Sequence, residues 1–327
     1  MKQLRLTTIA LLLATAVALA TPALARAEAE GSFTRTLKVS GENDVNVTTG
    51  SGNIIVRTGA ADTVQISARI HAHDSWSGPS GEEKVRRIEA NPPIEQVGSI
   101  IRIGHIEDHD LKNNVSIDYE LTVPAKTRLN SSTGSGDQRV SGIQSSVRAT
   151  TGSGNLTLAD IASDLRAESG SGDINLTNVS GHMYVSTGSG NLRTSNVAGA
   201  FIGSSGSGDI HLDETGSGEV KVETGSGSVV AKGVNGPLTV STGSGDVEIN
   251  GQQKGEWSLN AGSGNVRVRL NGEPSFDIDA HTSSGSIDVN FPVTMQGSFR
   301  KNELRGKVRN GGSLVRVRTG SGDIQFQ

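Results

Sequence analysis

Four of the seven histidines lie in two short polar stretches, His71 and His73 in "HAHD" and His105 and His109 in "HIEDHD". Asp74, Asp108 and Asp110 accompany them. Alternate residues of an extended strand share a face, so His71 and His73 could offer two imidazoles to one divalent metal. A solvated polar loop would have the same composition. The four histidines are therefore candidate ligands only, and no metal or other cofactor is assigned.

A second group of oxygen donors recurs along the chain. In the slot after the last glycine of the repeated corners stand Asp137, Asn155, Asp173, Asn191, Asp209, Ser228, Asp246, Asn265 and, later, Ser286 and Asp323. Glycine-aspartate rolls bind calcium between turns, but through a nine-residue repeat. Here no two aspartates are adjacent in the series. Calcium needs several carboxylate oxygens converging on one point. Alternation instead keeps like charges two repeats apart, which relieves repulsion in a stack. Acids crowd only at Asp213, Glu214, Glu219 and Glu223.

Catalytic constellations are missing. Sugar-cleaving β-helices pair carboxylates in a groove with aromatic platforms, whereas Trp76 and Trp257 are the only tryptophans here. The "GSGD" segments lack the strand-turn-helix setting of a phosphate loop or nucleophile elbow. No catalytic residue is assigned, and the chain is read as not an enzyme.

The positioning framework is a repeat. The residues opening each Thr/Ser-Gly-Ser-Gly unit are Thr133, Thr151, Ser169, Thr187, Ser205, Thr224, Thr242, Ala261, Thr282 and Thr319. The first four intervals are each 18 residues. A fixed period near 20 marks a stacked architecture. Within a unit, apolar residues alternate with polar ones in two short runs, as at Ile174 and Leu176, then Met183 and Val185, with Val179 between the runs. That is strand, turn, strand, turn. One unit cannot bury its apolar face alone. Parallel stacking at about 4.8 Å per rung does so, and ten rungs would make a rod roughly 45–50 Å long.

The fold expected is thus all-β, a parallel β-solenoid with two strands per rung of about 18 residues. "TGSG" becomes a corner, its glycines supplying positive φ and its serines a rung-to-rung ladder of hydroxyls. An early corner at 48–56 is followed by a long gap of strand-like segments. Within that gap Ser80 and Glu83 form a capping box ahead of a short helix at 82–90, ended by Pro92 and Pro93. This β-rich region, 26–130, is read as the N-terminal first rung and cap, and 131–327 as the solenoid. Residues 291–312 are an excursion carrying Arg300, Lys301, Arg305, Lys307 and Arg309. The last rung, "TGSGDIQFQ", has no cap after it, so its exposed edge suggests end-to-end self-association.

Lys2 and Arg5 precede an apolar run at 9–20, and Ala23 and Ala25 form a cleavage site, so residues 1–25 read as a signal peptide. Its removal takes the formal charge from −4 to −6 by loss of those two cations. Mild acidity argues against a nucleic-acid partner. No later segment is long and apolar enough to span a membrane. The chain has no cysteine, which excludes disulfides and thiolate metal sites. With 43 glycines and only 2 Trp, 2 Tyr and 6 Phe in 327 residues, the core must be thin and aliphatic.

The segment at 116–143, "SIDYELTVPAKTRLNSSTGSGDQRVSGI", the glycine-serine corners, and the ending "LRGKVRNGGSLVRVRTGSGDIQF" resemble the bacterial DUF4097 "putative adhesin" family. The resemblance implies an exported, periplasmic or cell-surface β-solenoid and brings no catalytic residues. The function expected is a non-enzymatic structural or adhesin-like rod presenting a repetitive polar surface to a cell-envelope component or partner protein. The alternatives are a calcium- or glycan-binding module and, after it, a carbohydrate-active enzyme.

Overall fold

The computed structural model describes residues 28–74, 78–295 and 300–327. The leader segment and Trp76 lie outside them. Two sheets, of 14 and 15 strands, face each other across a narrow apolar core. From Thr127 onward each rung gives one strand to each sheet, in parallel register: Val147 pairs with Leu165, Leu165 with Met183, and Met183 with Phe201. The opposite sheet runs Leu156, Ile174, Leu192, Ile210 in the same way. All of these side chains are buried. The parallel solenoid read from the period of 18 is the observed fold.

Side-chain volume is balanced across rungs. Phe201 is fully buried in a column of Leu165, Met183, Val220 and Leu238, and Gly203, two residues on, leaves it room. A Cβ on Gly203 would overlap the Phe201 ring. Trp257 fills the same column further along and donates Nε1–H to the Gly236 carbonyl at 2.9 Å, which satisfies its one polar atom.

The corners are built differently from the expectation. Their glycines mostly have ordinary φ; Gly264 and Gly322 are the positive-φ exceptions. What they require is space. A Cβ on Gly154 would overlap the Gly136 carbonyl oxygen, one on Gly172 the Gly154 oxygen, and one on Gly190 the Gly172 oxygen. Positive φ occurs instead at the opposite turn, at Gly142, Asp160, Asn178, Asn196 and Gly233. Polar side chains and glycine tolerate left-handed backbone there.

The hydroxyl ladder also runs through a different residue. The middle serines, Ser153 and Ser171 among them, are exposed. The buried opening residue does the bonding: Thr151 Oγ1 donates to the Gly136 carbonyl at 3.1 Å and accepts from Gly154 N–H at 3.0 Å. Ser169, Thr187 and Ser205 repeat both bonds on their own neighbours.

At each end the order in space departs from the order in sequence. β1 (Ala29–Lys38), β2 (Asn43–Thr49), β3 (Ile54–Thr58), β4 (Thr63–Ala72), α1 (Gly81–Ala90), β5 (Ile94–Val97), β6 (Ile100–Ile103), α2 (His109–Lys112) and β7 (Val115–Val123) form the N-terminal region. β2 and β3 stack directly on the rung at 127–141, while β6 and β7 pair on their other side. β4 and β1 then continue antiparallel from β7. α1 starts as read, with Ser80 Oγ accepting from Glu83 N–H at 3.3 Å. It covers the β1 edge, where Glu89 accepts the Ser32 N–H at 2.8 Å. Its Lys84 is fully buried and donates to the His73 and Asn113 carbonyls at 3.1 and 2.8 Å.

At the other end one expectation is overturned. The last rung is not the open end of the rod. Strand 314–321 lies between 257–263 and 276–284, and strand 324–326 between 266–270 and 287–289. The end positions belong to Ile287–Val289 in one sheet and, in the other, to Glu303–Val308 and Val293–Met295, paired antiparallel. The excursion therefore caps the sheet. Three of its basic residues are paired: Arg300 with Glu303 at 3.8 Å, Arg305 with Asp279 at 3.3 Å, and Arg309 with Glu273 at 2.9 Å.

Replacing Gly154 by alanine should cost about 2 kcal/mol or more, because backbone rather than a side chain must move. Ser153→Ala should stay within about 0.5 kcal/mol of wild type. Urea denaturation of the two variants distinguishes a corner set by glycine from one set by serine.

Candidate binding surfaces

Along one edge of the rod the polar residues after the corners form a hydrogen-bonded ladder in two runs. Asn53 Oδ1 accepts Asp137 N–H at 2.9 Å, Asp137 Oδ1 accepts Asn155 N–H at 2.8 Å, and Asn155 Oδ1 accepts Asp173 N–H at 2.9 Å. The series continues through Asn191, Asp209 and Ser228, and resumes at Asp246, Asn265, Asp323 and Ser286. At its head Asp118 Oδ1 accepts Asn53 N–H at 2.7 Å. Taken in spatial order, acid and neutral residues alternate over all twelve positions. Asparagine Nδ2 groups bond back to the preceding acid, as Asn191 does to Asp173 at 3.1 Å. The Asn191 N–H, with Arg193, holds the Asp173 carboxyl below the usual carboxylate range. These acids are spaced two rungs apart and already accept hydrogen bonds, so they do not converge as calcium ligands would.

The histidine candidates divide. His71, at the end of β4, and His73, just beyond it, lie on one strand face as their spacing requires, and His109 lines the same surface cavity of about 610 Å³. His105 lines two other pockets, one beside Thr48 and Tyr119 and one beside Asn46 and Arg102. Around His71 stand three carboxylates the sequence reading did not name, of which Glu28 lines the cavity. Glu28 Oε1 is 3.2 Å from His71 Nδ1 and 3.8 Å from His73 Nε2. Asp118 Oδ2 is 3.6 Å from His71 Nε2. Glu30 pairs with His71 across the β1–β4 ribbon.

A different surface lies on the outer face of the 15-stranded sheet. One register column reads Asn130, Arg148, Arg166, Tyr184, Ile202. It borders a groove of about 570 Å³ that also takes in Asp164, His182 and the edges of Leu165 and Met183. Tyr184 and Ile202 are exposed, the latter by 48 %, in a rod whose other large apolar side chains are mostly inside. The Arg166 guanidinium sits 4.3 Å from the Tyr184 ring centroid. Glu168 pairs with Arg148 at 3.3 Å and Arg166 at 2.6 Å, which fixes both heads. The His182 N–H, and then its imidazole, hold Asp164 below the ordinary carboxylate value.

One ionisable group is buried within the stack itself. Ile161, Val179 and Val197 form an apolar column at the second turn, and in the next rung Glu214 bridges Val197. Glu214 is buried; its Oε1 accepts Gly216 N–H at 2.9 Å, while Oε2 has no partner among the described residues. Burial pushes its pKa up from 4.5 to about 7.

The two facing parallel sheets, wound rung by rung, make the protein a β-solenoid. It belongs to the Toastrack DUF4097 family, whose model matches residues 38–200 and 184–327. Among solved structures it is similar to a "putative lipid binding protein" from Parabacteroides distasonis, with 15 % identity over 90 % of this chain and 96 % of that one and a TM-score of 0.36. A "putative adhesin" from Bacteroides fragilis shares 12 % identity over 91 % and 97 %, with a TM-score of 0.29. A "putative cell adhesion protein" from Clostridium sporogenes shares 13 % over 91 % and 99 %, with a TM-score of 0.24. Among curated proteins none matches the chain.

Because Glu214 binds its proton more tightly folded than unfolded, its contribution to stability is greatest below pH 4.5 and is lost as pH rises to about 7. The melting temperature of wild type minus that of Glu214→Gln, followed from pH 4.5 to 8, should show that fall. The variant's own profile should lack it.

Proposed function

We propose that this protein is an exported, non-enzymatic rod that adheres to a component of the cell envelope through the outer faces of its sheets. The groove beside Tyr184 and Ile202 is its principal contact. The carrying observation is that groove: an aromatic and a branched aliphatic side chain in open register beside ion-paired arginines, next to rungs whose outer positions are Arg128, Asn130, Arg148, Arg166 and Glu168. An aromatic ring flanked by fixed hydrogen-bond donors suits the faces and hydroxyls of a glycan. The flat periodic surface around it adds weak contacts that multiply along a rod held at fixed spacing.

The leader at 1–25 supports export, to the periplasm or the cell surface. The non-enzymatic reading rests on the carboxylates: those of the corner ladder are taken up by backbone N–H groups, and Glu214 is enclosed in the core. A formal charge of −4 supports a partner other than nucleic acid. Self-association of rods would use the one sheet end without an antiparallel cover among the described residues, the strand at Ile287–Val289, where its shortness and the central Asp288 keep such pairing weak.

Co-sedimentation of the mature protein with fractionated cell envelopes tests this. Wild type should be retained on one polysaccharide-bearing fraction, and Tyr184→Ala combined with Ile202→Ser should reduce retention at least about tenfold, the loss of roughly 1.4 kcal/mol. Equal retention of the variant would remove the groove from the account. No retention of wild type on any fraction would remove adhesion.

A further inference from the structure

We infer that the N-terminal end of the rod carries a divalent transition-metal site formed by His71, His73, Glu28 and Glu30, with Asp118 as its orienting carboxylate. The inference is independent of the adhesive reading and concerns a different surface.

Strand pairing assembles the donors. β1 and β4 run antiparallel with Glu30 opposite His71, so a Glu-x-Glu pair faces a His-x-His pair on one side of a two-stranded ribbon. One ligand atom each from Glu28, Glu30 and His71 lie within 4.8 Å of one another. Glu28 Oε1 stands between the imidazoles, 3.2 Å from His71 Nδ1 and 3.8 Å from His73 Nε2. Two nitrogen and two carboxylate donors suit a four-coordinate borderline ion such as Zn²⁺, rather than Ca²⁺ or Mg²⁺, which take oxygen throughout.

Asp118 separates a built site from a chance cluster. Ligating histidines usually present their second ring nitrogen to a carboxylate, which fixes tautomer and ring orientation. His71 is placed for this: Nδ1 faces Glu28 Oε1 at 3.2 Å, and Nε2 lies at ion-pair distance, 3.6 Å, from Asp118 Oδ2. Asp118 is itself held, because its other oxygen accepts Asn53 N–H at the head of the corner ladder. The backbone of His73 is pinned as well, its carbonyl by buried Lys84 and its N–H by the Asn114 carbonyl at 2.9 Å. The surface cavity over the cluster gives an ion access from solvent. An ion here would fasten the start of β1 to β4, at the edge strand that ends this sheet.

Calorimetric titration of the metal-free mature protein with ZnCl₂ tests the assignment, with thermal melts alongside. One equivalent should bind and raise the melting temperature. His71→Ala with His73→Ala should abolish binding. Asp118→Asn keeps an oxygen for the Asn53 N–H and should weaken affinity about 10- to 100-fold with stoichiometry unchanged. His105→Ala should match wild type. The absence of saturable Zn²⁺ binding would overturn the proposal, as would binding that survives the double histidine variant while its apo melting temperature is intact. An Asp118→Asn affinity equal to wild type would remove Asp118 from the site.

Discussion

Backbone lies directly on backbone at every corner, and the remainder of the rod depends on that contact. At the second glycine of each corner the Cα sits so close to the carbonyl one rung away that a methyl group has no room. The approach lets the buried Thr or Ser hydroxyl reach the neighbouring carbonyl and lets each Asp or Asn side chain take the next rung's N–H. With the corners locked at one rung height, the strands on both sides fall into register without slip. The aliphatic columns then stack like on like. The thin core has few aromatics because the spacing is set by backbone, and Phe201 is accommodated where Gly203 gives way.

A stack of identical rungs has two unpaired ends, and both are closed by folding the chain back. At the N-terminus β6 and β7 slide outside the first rung, and β4, β1 and α1 complete the cover. At the C-terminus the last rung is inserted beneath an earlier one, and an antiparallel pair covers one sheet. The three-residue strand that ends the other sheet carries Asp288 at its centre, and short, charged edges resist further pairing. The two proposed surfaces lie where the side-chain pattern changes: the histidine–carboxylate cluster in the N-terminal cover, and the Tyr184–Ile202 groove where apolar side chains replace polar ones on an outer face.

What could be read from the sequence was what repeats. A period of 18 with fixed apolar offsets leads to the rungs, and the alternation of Asp and Asn anticipates the ladder, because both are local patterns copied many times. Ser80 and Glu83 announced α1 for the same local reason. The reason for the glycines was not legible: a requirement for positive φ and a requirement for close approach leave the same residue. Nor was the inserted last rung, since a rung's sequence says which columns it joins and not which neighbours it lies between. Glu28, Glu30 and Asp118 escaped because strand pairing across long separations brings them to His71. The alternating "EAE" at 28–30, matching "HAH" at 71–73, was the one signal present.

The central claim is that the glycine-serine corners are rigid, bonded elements. Residue-resolved hydrogen exchange tests it most directly, at the surface corner residues Asn155, Asp173, Asn191 and Asp209. Their amides should exchange as slowly as those of the buried strands at Leu156 and Ile174, because each N–H is held by the rung beside it. Exchange at rates typical of open glycine-rich loops, with the strands still protected, would contradict it.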